Sequence, residues 1–167
     1  MQFPSENVPL KSRSVAFQAI GKVTCSRKPT TLIMATLVER HSRFVMLIKV
    51  RGKDTSSVVC ALSKQVRQLP QELRRSLTWD RGKEMANHKN FTIATDVQVY
   101  FCDPRSSWQR GSNENTNGLL RQYFPKGMDL SGYSQSYLNK IALRLNQRPR
   151  KTLGFETHAD KLRAVLQ

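Results

Sequence analysis

Acidic residues are scarce in this sequence. Asp and Glu number 12 against 28 Lys and Arg, giving a formal charge of +16 over 167 residues. An excess of that size points to a polyanion as partner, most often nucleic acid. The other reading is a basic surface kept for solubility, or the face of a ribosomal-type structural protein. The basic residues are spread along the chain and form no tail, so the charge belongs to the folded surface. Cysteine is also sparse. Cys25, Cys60 and Cys102 are far apart, which excludes a zinc-knuckle spacing and a disulfide framework and suits a reducing, cytoplasmic setting. No apolar run reaches membrane-spanning length, and Met1 onward shows no signal-peptide pattern. There is no internal repeat and no low-complexity tract.

The length suits one domain. Residues 1–14 are polar and contain proline, and read as a loose segment. "SVAFQAIG" is a weakly patterned short strand, and "KVTCSRKPT" a basic loop. "TLIMATLVERHSRFVMLIKV", Thr31 to Val50, is clearer: β-branched apolar runs flank "ERHS", which predicts a β-hairpin with strands covered on both faces. The period then changes. Val58, Leu62, Val66 and Leu69 recur at helical spacing behind a cap at Asp54, Thr55 or Ser56, and Pro70 ends that helix. "RRSLTWD" is a short strand ending in Asp80, "RGKEMANHKNFTIATD" a turn and a modest helix, and "VQVYFCDP" the next strand. A helix runs from Asn113 through Leu119, Leu120 and Tyr123. A last amphipathic helix, "YSQSYLNKIALRLNQRP", sets Tyr137, Ile141 and Leu145 on one side and stops before Pro149. The order predicts an α/β fold, helices covering a mixed sheet, with ligands taken at the C-terminal ends of strands.

Asp80 sits at one such end, and Glu114, 33 intervening residues later, stands at the start of a helix. The separation leaves room for one helix and one strand, after which the two carboxylates can meet at one sheet edge. Hard oxygen ligands of this kind hold Mg²⁺, and two such ions can activate an attacking oxygen and steady a leaving one in phosphoryl transfer. The residues alone leave two readings open. Asp80 serves as a helix cap as readily as a ligand, and Glu114 can simply favour the helix dipole.

"LTWDRGKEMANH", "VYFCDPRSSWQRGSNENTNGLLRQYFPKG", "LNQRPRKTLGF" and "ATLVERHSRFVMLIKVRGKD" together resemble the transposases of the IS30 family of bacterial insertion sequences, over roughly Ala35 to Arg163. The resemblance implies an RNase H-like catalytic core of the integrase type, over residues 15–163, with a triad of two Asp and one Glu holding Mg²⁺ (or Mn²⁺). On that pattern Asp80 is the second Asp and Glu114 the Glu. The implied activity is DNA strand cleavage and strand transfer during transposition, by a cytoplasmic, nucleoid-associated protein. Its partners would be insertion-sequence ends and target DNA, with self-association or pairing with full-length transposase and no membrane. Arg105, Gln109, Arg110, Asn113, Asn115, Asn117 and Arg121 would face DNA phosphates or brace the site. Lys126, Arg148, Arg150 and Lys151 would contact phosphates. Trp108 would stack on a flipped or terminal base, or pack the helix against the sheet. Ser106 and Ser107 would bond phosphate or cap the turn.

The chain departs from the family at its first Asp, which the family carries just before the "ATLVER" strand. Setting Gly21 on the family's glycine puts Phe17 in that place, and a one-residue slip puts Gln18 there. Neither is a carboxylate. The only acid before Glu39 is Glu6, in a poorly matching stretch, and the loop from Lys22 to Met34 is longer than the family's. Glu39 reads as a hairpin-turn residue paired with Arg40 or Arg43. Asp54 reads as a cap and Asp103 as a turn former, while Glu84, close after Asp80, resembles the family's acid at that place but reads against direct metal contact. The family's N-terminal helix-turn-helix region has no counterpart here. A catalytically impaired, DNA-binding remnant is therefore the alternative to an active core.

The charge generates a first prediction. The purified chain should bind DNA with little sequence preference, and its affinity should fall steeply as salt rises, because released counterions drive binding. Alanine at Arg148, Arg150 or Lys151 should weaken binding alike for all sequences and lower the log–log salt slope by about 1 each. Fluorescence-anisotropy titrations at several salt concentrations check this; a flat salt dependence would refute it.

Overall fold

The computed structural model describes residues 16–20, 33–52, 54–79, 86–102, 111–125, 128–130 and 132–166; at 16–20, 33, 72, 111–114, 152 and 165 it describes the backbone alone. The expectations for residues 1–14, for the loop 22–30, and for Asp103 and Glu84 lie outside the described residues.

The chain forms strands β1 (Ala16–Ile20), β2 (Ile33–Glu39) and β3 (Val45–Val50), helix α1 (Thr55–Val66), β4 (Ser76–Trp79), α2 (His88–Thr95), β5 (Gln98–Phe101), α3 (Gly111–Leu120), α4 (Gln135–Asn146) and α5 (His158–Leu166). The sheet order is β3-β2-β1-β4-β5. β2 runs antiparallel to β1 and β3, while β4 runs parallel to β1 and β5. This mixed sheet with helices on both faces is the RNase H-like arrangement the sequence led us to expect.

Strand alternation divides the sheet into two faces. Ala35, Leu37, Met46, Ile48, Leu77 and Trp79 pack under α1 and α2, where Val58, Leu62, Val66 and Phe91 complete one core. Met34, Val38, Val45 and Leu47 meet Leu120, Phe124, Leu138, Ile141 and Leu145 on the other face. β2 and β3 thus bury both sides, as their β-branched runs require. Asp54 caps α1, accepting the Ser57 N–H at 2.8 Å, and its carboxyl is held below the usual value by that bond. A Cβ at Gly52 would stand 2.3 Å from Asp54 Oδ1, so a larger residue there would push the capping carboxylate aside. α1 stops at Val66, so Leu69 packs from beyond the helix end.

Four expectations change. Glu39 pairs with neither Arg40 nor Arg43: fully buried, it accepts the His41 N–H at 2.8 Å and the Ser42 N–H and hydroxyl at 2.5 Å each. Backbone donors fixed in a tight turn reach the carboxylate without ordering a long side chain. The buried side of α4 is Leu138, Ile141, Ala142 and Leu145, while Tyr137 is 40% exposed and stacks on Tyr133. α4 is also not the last helix, because α5 follows it. α3 begins at Gly111, two residues before Asn113, and ends at Leu120, leaving Tyr123 in the next turn.

α4 closes the free edge of β3. Asn146 Oδ1 accepts the Val45 N–H at 2.8 Å, and its Nδ2 donates to the Val45 carbonyl at 2.9 Å. At the other end of α4, Gln135 accepts the Lys49 N–H at 2.8 Å and donates to the Leu47 carbonyl at 2.7 Å. The two side-chain amides act as a stand-in strand.

α5 docks on the same hairpin. His158, only 6% exposed, bonds through its ring to the Arg43 carbonyl, in a turn where Arg43 takes a left-handed φ of 61°. Burial first, then the charges of Arg150 and Arg43, push the imidazole below its ordinary pKa, against that one favourable bond.

Two predictions follow from these contacts. Asn146→Leu strips both buried Val45 groups of their partner and should cost about 3 kcal/mol, a drop of roughly 6–12 °C in the unfolding midpoint; Gln135→Ala, at a wetter position, should cost less. Differential scanning fluorimetry ranks the two. For His158, the unfolded chain takes up a proton near the ordinary histidine value while the folded chain resists it. Stability should therefore decline as pH falls below about 6.5, and urea midpoints of His158→Gln should show less of that decline.

Candidate functional site

The site is framed by β1, β4 and α3. β1 lies at the centre of the sheet, and α3 packs across β2 and β1. Glu114 is the fourth residue of α3, and Asn113 precedes it. The helix is seated by buried Thr116 and Leu120, with Phe124 just beyond its end. β4 ends at Trp79, register partner of Ala19 on β1. Asp80 is next in the chain and lies outside the described residues, as do Trp108, Arg110 and Lys126.

The register puts the two alignments of the first acid on opposite faces of the sheet. Phe17 is partnered by Leu77, which packs beneath α1. Gln18 is partnered by Val38 and Thr78. Val38 belongs to the core under α3 and α4, and Thr78 alternates with Leu77 and Trp79 of the opposite core. Position 18 is thus the β1 register position on the α3 side. That side carries unusual polarity for a sheet interior. Thr36 is fully buried and Thr78 is 5% exposed. Thr36 Oγ1 and Asn117 Oδ1, the latter on α3, are buried without a hydrogen-bond partner among the described residues. Buried polar atoms of that kind mark a place where something polar belongs.

The remaining candidates fall into two groups. Arg121 is exposed in the turn after α3. Arg148 and Lys151 are exposed and Arg150 is half-buried, in the segment between α4 and α5. Burial and the neighbouring charge of Arg148 hold Arg150 below its ordinary pKa, with Tyr123 opposing them. This second group gathers near the β2–β3 turn, through His158 and Arg43. Because Glu39 is partnered by Phe17, and Phe17 by Leu77, that turn lies at the end of the sheet where β1 and β4 begin. β4's C-terminal end is the opposite one. The basic segment 148–151 is therefore set apart from the end of β4 that leads to Asp80. Sequence reasoning did not single out His158 or Phe155 of the same region; the Gly154–Phe155 pair after a basic run was the available signal for the latter.

The resemblance implies three carboxylates around the metal. The β1 strand "AFQAI" holds none, and Asp80 and the Glu114 side chain lie outside the described residues. Among the described residues, no three His, Cys, Asp or Glu side chains gather as a metal site. No helix among them is long and apolar enough to cross a membrane.

Comparison with known proteins bears on this geometry. Residues 18–107 match the family described as the integrase core domain. The transposase InsI of insertion sequence element IS30A from Escherichia coli (strain K12) is 59% identical over 124 residues, covering 74% of this chain and 32% of that protein. The transposase of element IS1086 from Cupriavidus metallidurans is 51% identical over 133 residues, covering 80% of this chain and 39% of the relative. The chain thus spans about a third of the length of the curated relatives it matches first. Among solved structures, a simian T-cell lymphotropic virus intasome in complex with the PP2A regulatory subunit B56 gamma superposes with a TM-score of 0.68 at 17% identity, over 89% of this chain and 54% of that one. The HTLV-2 integrase catalytic core domain in complex with magnesium gives 0.61 at 15% identity, over 89% of this chain and 95% of that one. The chain belongs to the integrase core domain family, on its IS30-transposase branch.

Proposed function

We propose that this chain, with residues 15–163 as one integrase-type core, is a DNA-binding module of transposase descent whose strand cleavage and transfer are impaired. The observation that carries the reading is the β1 register: the strand position facing α3 holds Gln18, a neutral amide, where the related enzymes would carry an acid. The transposase relatives supply the ancestry, and the surplus of basic residues supplies the affinity for phosphates. Arg121, Arg148, Arg150 and Lys151 are proposed to hold the DNA backbone, and Trp108, Arg110, Asn113, Asn117 and Lys126 are proposed as further DNA contacts. Asp80 and Glu114 are proposed as the surviving ligand positions. Magnesium would supply charge neutralisation at a scissile phosphate, and one solved relative of the fold is described in complex with it. Two carboxylates hold such an ion weakly, because Mg²⁺ gives up its waters reluctantly.

The test compares the chain with Gln18→Asp, Phe17→Asp and Asp80→Asn. On a labelled duplex carrying an insertion-sequence end, with Mg²⁺ or Mn²⁺, the unchanged chain should yield little or no nicked product. Gln18→Asp should gain a metal-dependent rise in melting temperature, since an ion that binds only the folded state stabilises it. Phe17→Asp, on the register of the opposite face, should show none, and Asp80→Asn placed on Gln18→Asp should remove the gain. Robust nicking by the unchanged chain that Asp80→Asn abolishes would overturn the impaired reading.

A further inference from the structure

The loop between α4 and α5 holds a strained, exposed aromatic. Phe155 has φ 66°, directly after Gly154 at φ 65°, and its side chain is 71% exposed. A bulky residue in the left-handed region is an outlier, and such strain persists only where the surroundings impose it. Here the imposition is visible. The Phe155 N–H donates to the Arg150 carbonyl at 2.9 Å, as does the Leu153 N–H at 2.9 Å. The Gly154 N–H donates to the Lys151 carbonyl at 3.1 Å, and the Arg150 N–H closes the loop on the Glu156 carbonyl at 3.2 Å. The backbone is pinned, and the ring stands outward on it.

The chemistry around the ring is one-sided. Arg148 and Lys151 are exposed in the same loop, which the Phe155 N–H closes on the Arg150 carbonyl, and the charge of Arg148 reaches Arg150. Glu156, the acid of this loop, is already engaged with Lys161. An exposed apolar ring on a loop that carries exposed cations matches a nucleobase with its flanking phosphates. Bases within a duplex are covered by their neighbours, so the fit is to an unpaired base at a nick, a frayed end or a single-stranded stretch.

Resting on the DNA-binding reading above, we propose that Phe155 stacks on an unpaired nucleobase while Arg148 and Lys151 hold the phosphates beside it. The contact lies at the end of the sheet where β1 and β4 begin, away from the candidate metal-ligand positions.

The test measures binding of the full chain to a single-stranded oligothymidylate and to a blunt duplex, for the unchanged protein, Phe155→Ala, Phe155→Tyr and Arg148→Ala. Phe155→Ala should lose roughly 5- to 100-fold in single-strand affinity while its salt slope and duplex affinity stay unchanged. Phe155→Tyr should retain single-strand binding. Arg148→Ala should weaken both substrates and lower the slope by about 1. Melting temperature separates a packing role from a binding one: Phe155→Gly, suited to positive φ, should melt no lower than the unchanged chain. Unaltered single-strand affinity in Phe155→Ala, alongside normal duplex binding, overturns this inference alone. A large fall in melting temperature for Phe155→Ala and Phe155→Gly alike also overturns it. So does a loss of self-association on sedimentation in Phe155→Ala without a change in single-strand affinity, which would place the ring between copies of the chain. Failure of the unchanged chain to bind any DNA at low salt would overturn the DNA-binding reading as well.

Discussion

The free edge of β3 is the constraint on which the layout depends. An open edge strand presents unpaired N–H and C=O groups, and these must find partners or template unwanted pairing. Here the partners are two side-chain amides, Gln135 and Asn146, near opposite ends of α4. Because the two amides bond to Val45, Leu47 and Lys49 in register, α4 can neither slide nor rotate freely over the sheet. Its buried side, Leu138, Ile141 and Leu145, then shares a core with Leu120 and Phe124, at and just beyond the end of α3. α3 is therefore held across β2 and β1, and Glu114 rides on it. The same helix delivers the chain into the basic segment 148–151 and then α5, whose first residue, His158, returns to the β2–β3 turn. One edge closure thereby positions both the helix of the candidate site and the separate basic region.

Charge is distributed with a comparable economy. The few acids with described contacts are mostly spent on local structure: Glu39 in the hairpin turn, Asp54 in the α1 cap, Asp160 with Thr157, Glu156 with Lys161. Asp160 also faces Arg163 at 3.7 Å, an exposed pair whose worth is small. Among the described residues, arginines and lysines therefore far outnumber the carboxylates left to compensate them. Such a surface strains the compact state by self-repulsion and is relieved by a polyanion. DNA that binds only the folded form would stabilise it by mass action.

Much of this was legible in the sequence, for identifiable reasons. The hairpin was readable because both strands are buried on two faces and so carry unbroken β-branched runs. α1 was readable because Asp54 and the spacing of Val58, Leu62 and Val66 agree. α4 was located correctly, yet its buried side was misjudged: Tyr137, Ile141 and Leu145 are as regularly spaced as Leu138, Ala142 and Leu145, and only the stack on Tyr133 draws Tyr137 outward. α5 escaped notice because "HADKLRAVL" is polar and short, and its docking histidine gains meaning only from the distant Arg43. For β1, a five-residue strand cannot declare which of its faces is which, so Phe17 and Gln18 remained equivalent until Leu77 and Val38 were seen on opposite cores. The pairing of Asp80 with Glu114 rests on chain order and family resemblance, and Asp80 and the Glu114 side chain lie outside the described residues.

The same register constrains what position 18 can hold. Position 18 lies mid-sheet, between Val38 and Thr78, which are 0% and 5% exposed. A carboxylate there, without a cation beside it, is a poorly solvated charge and destabilises the folded state. A glutamine at that position carries no such charge. The strand pairing of β1 with β2 and β4 is made by backbone groups and does not depend on the residue at that position. The residues that hold the sheet and those that make the basic surface are different ones, so each can be kept independently of the other.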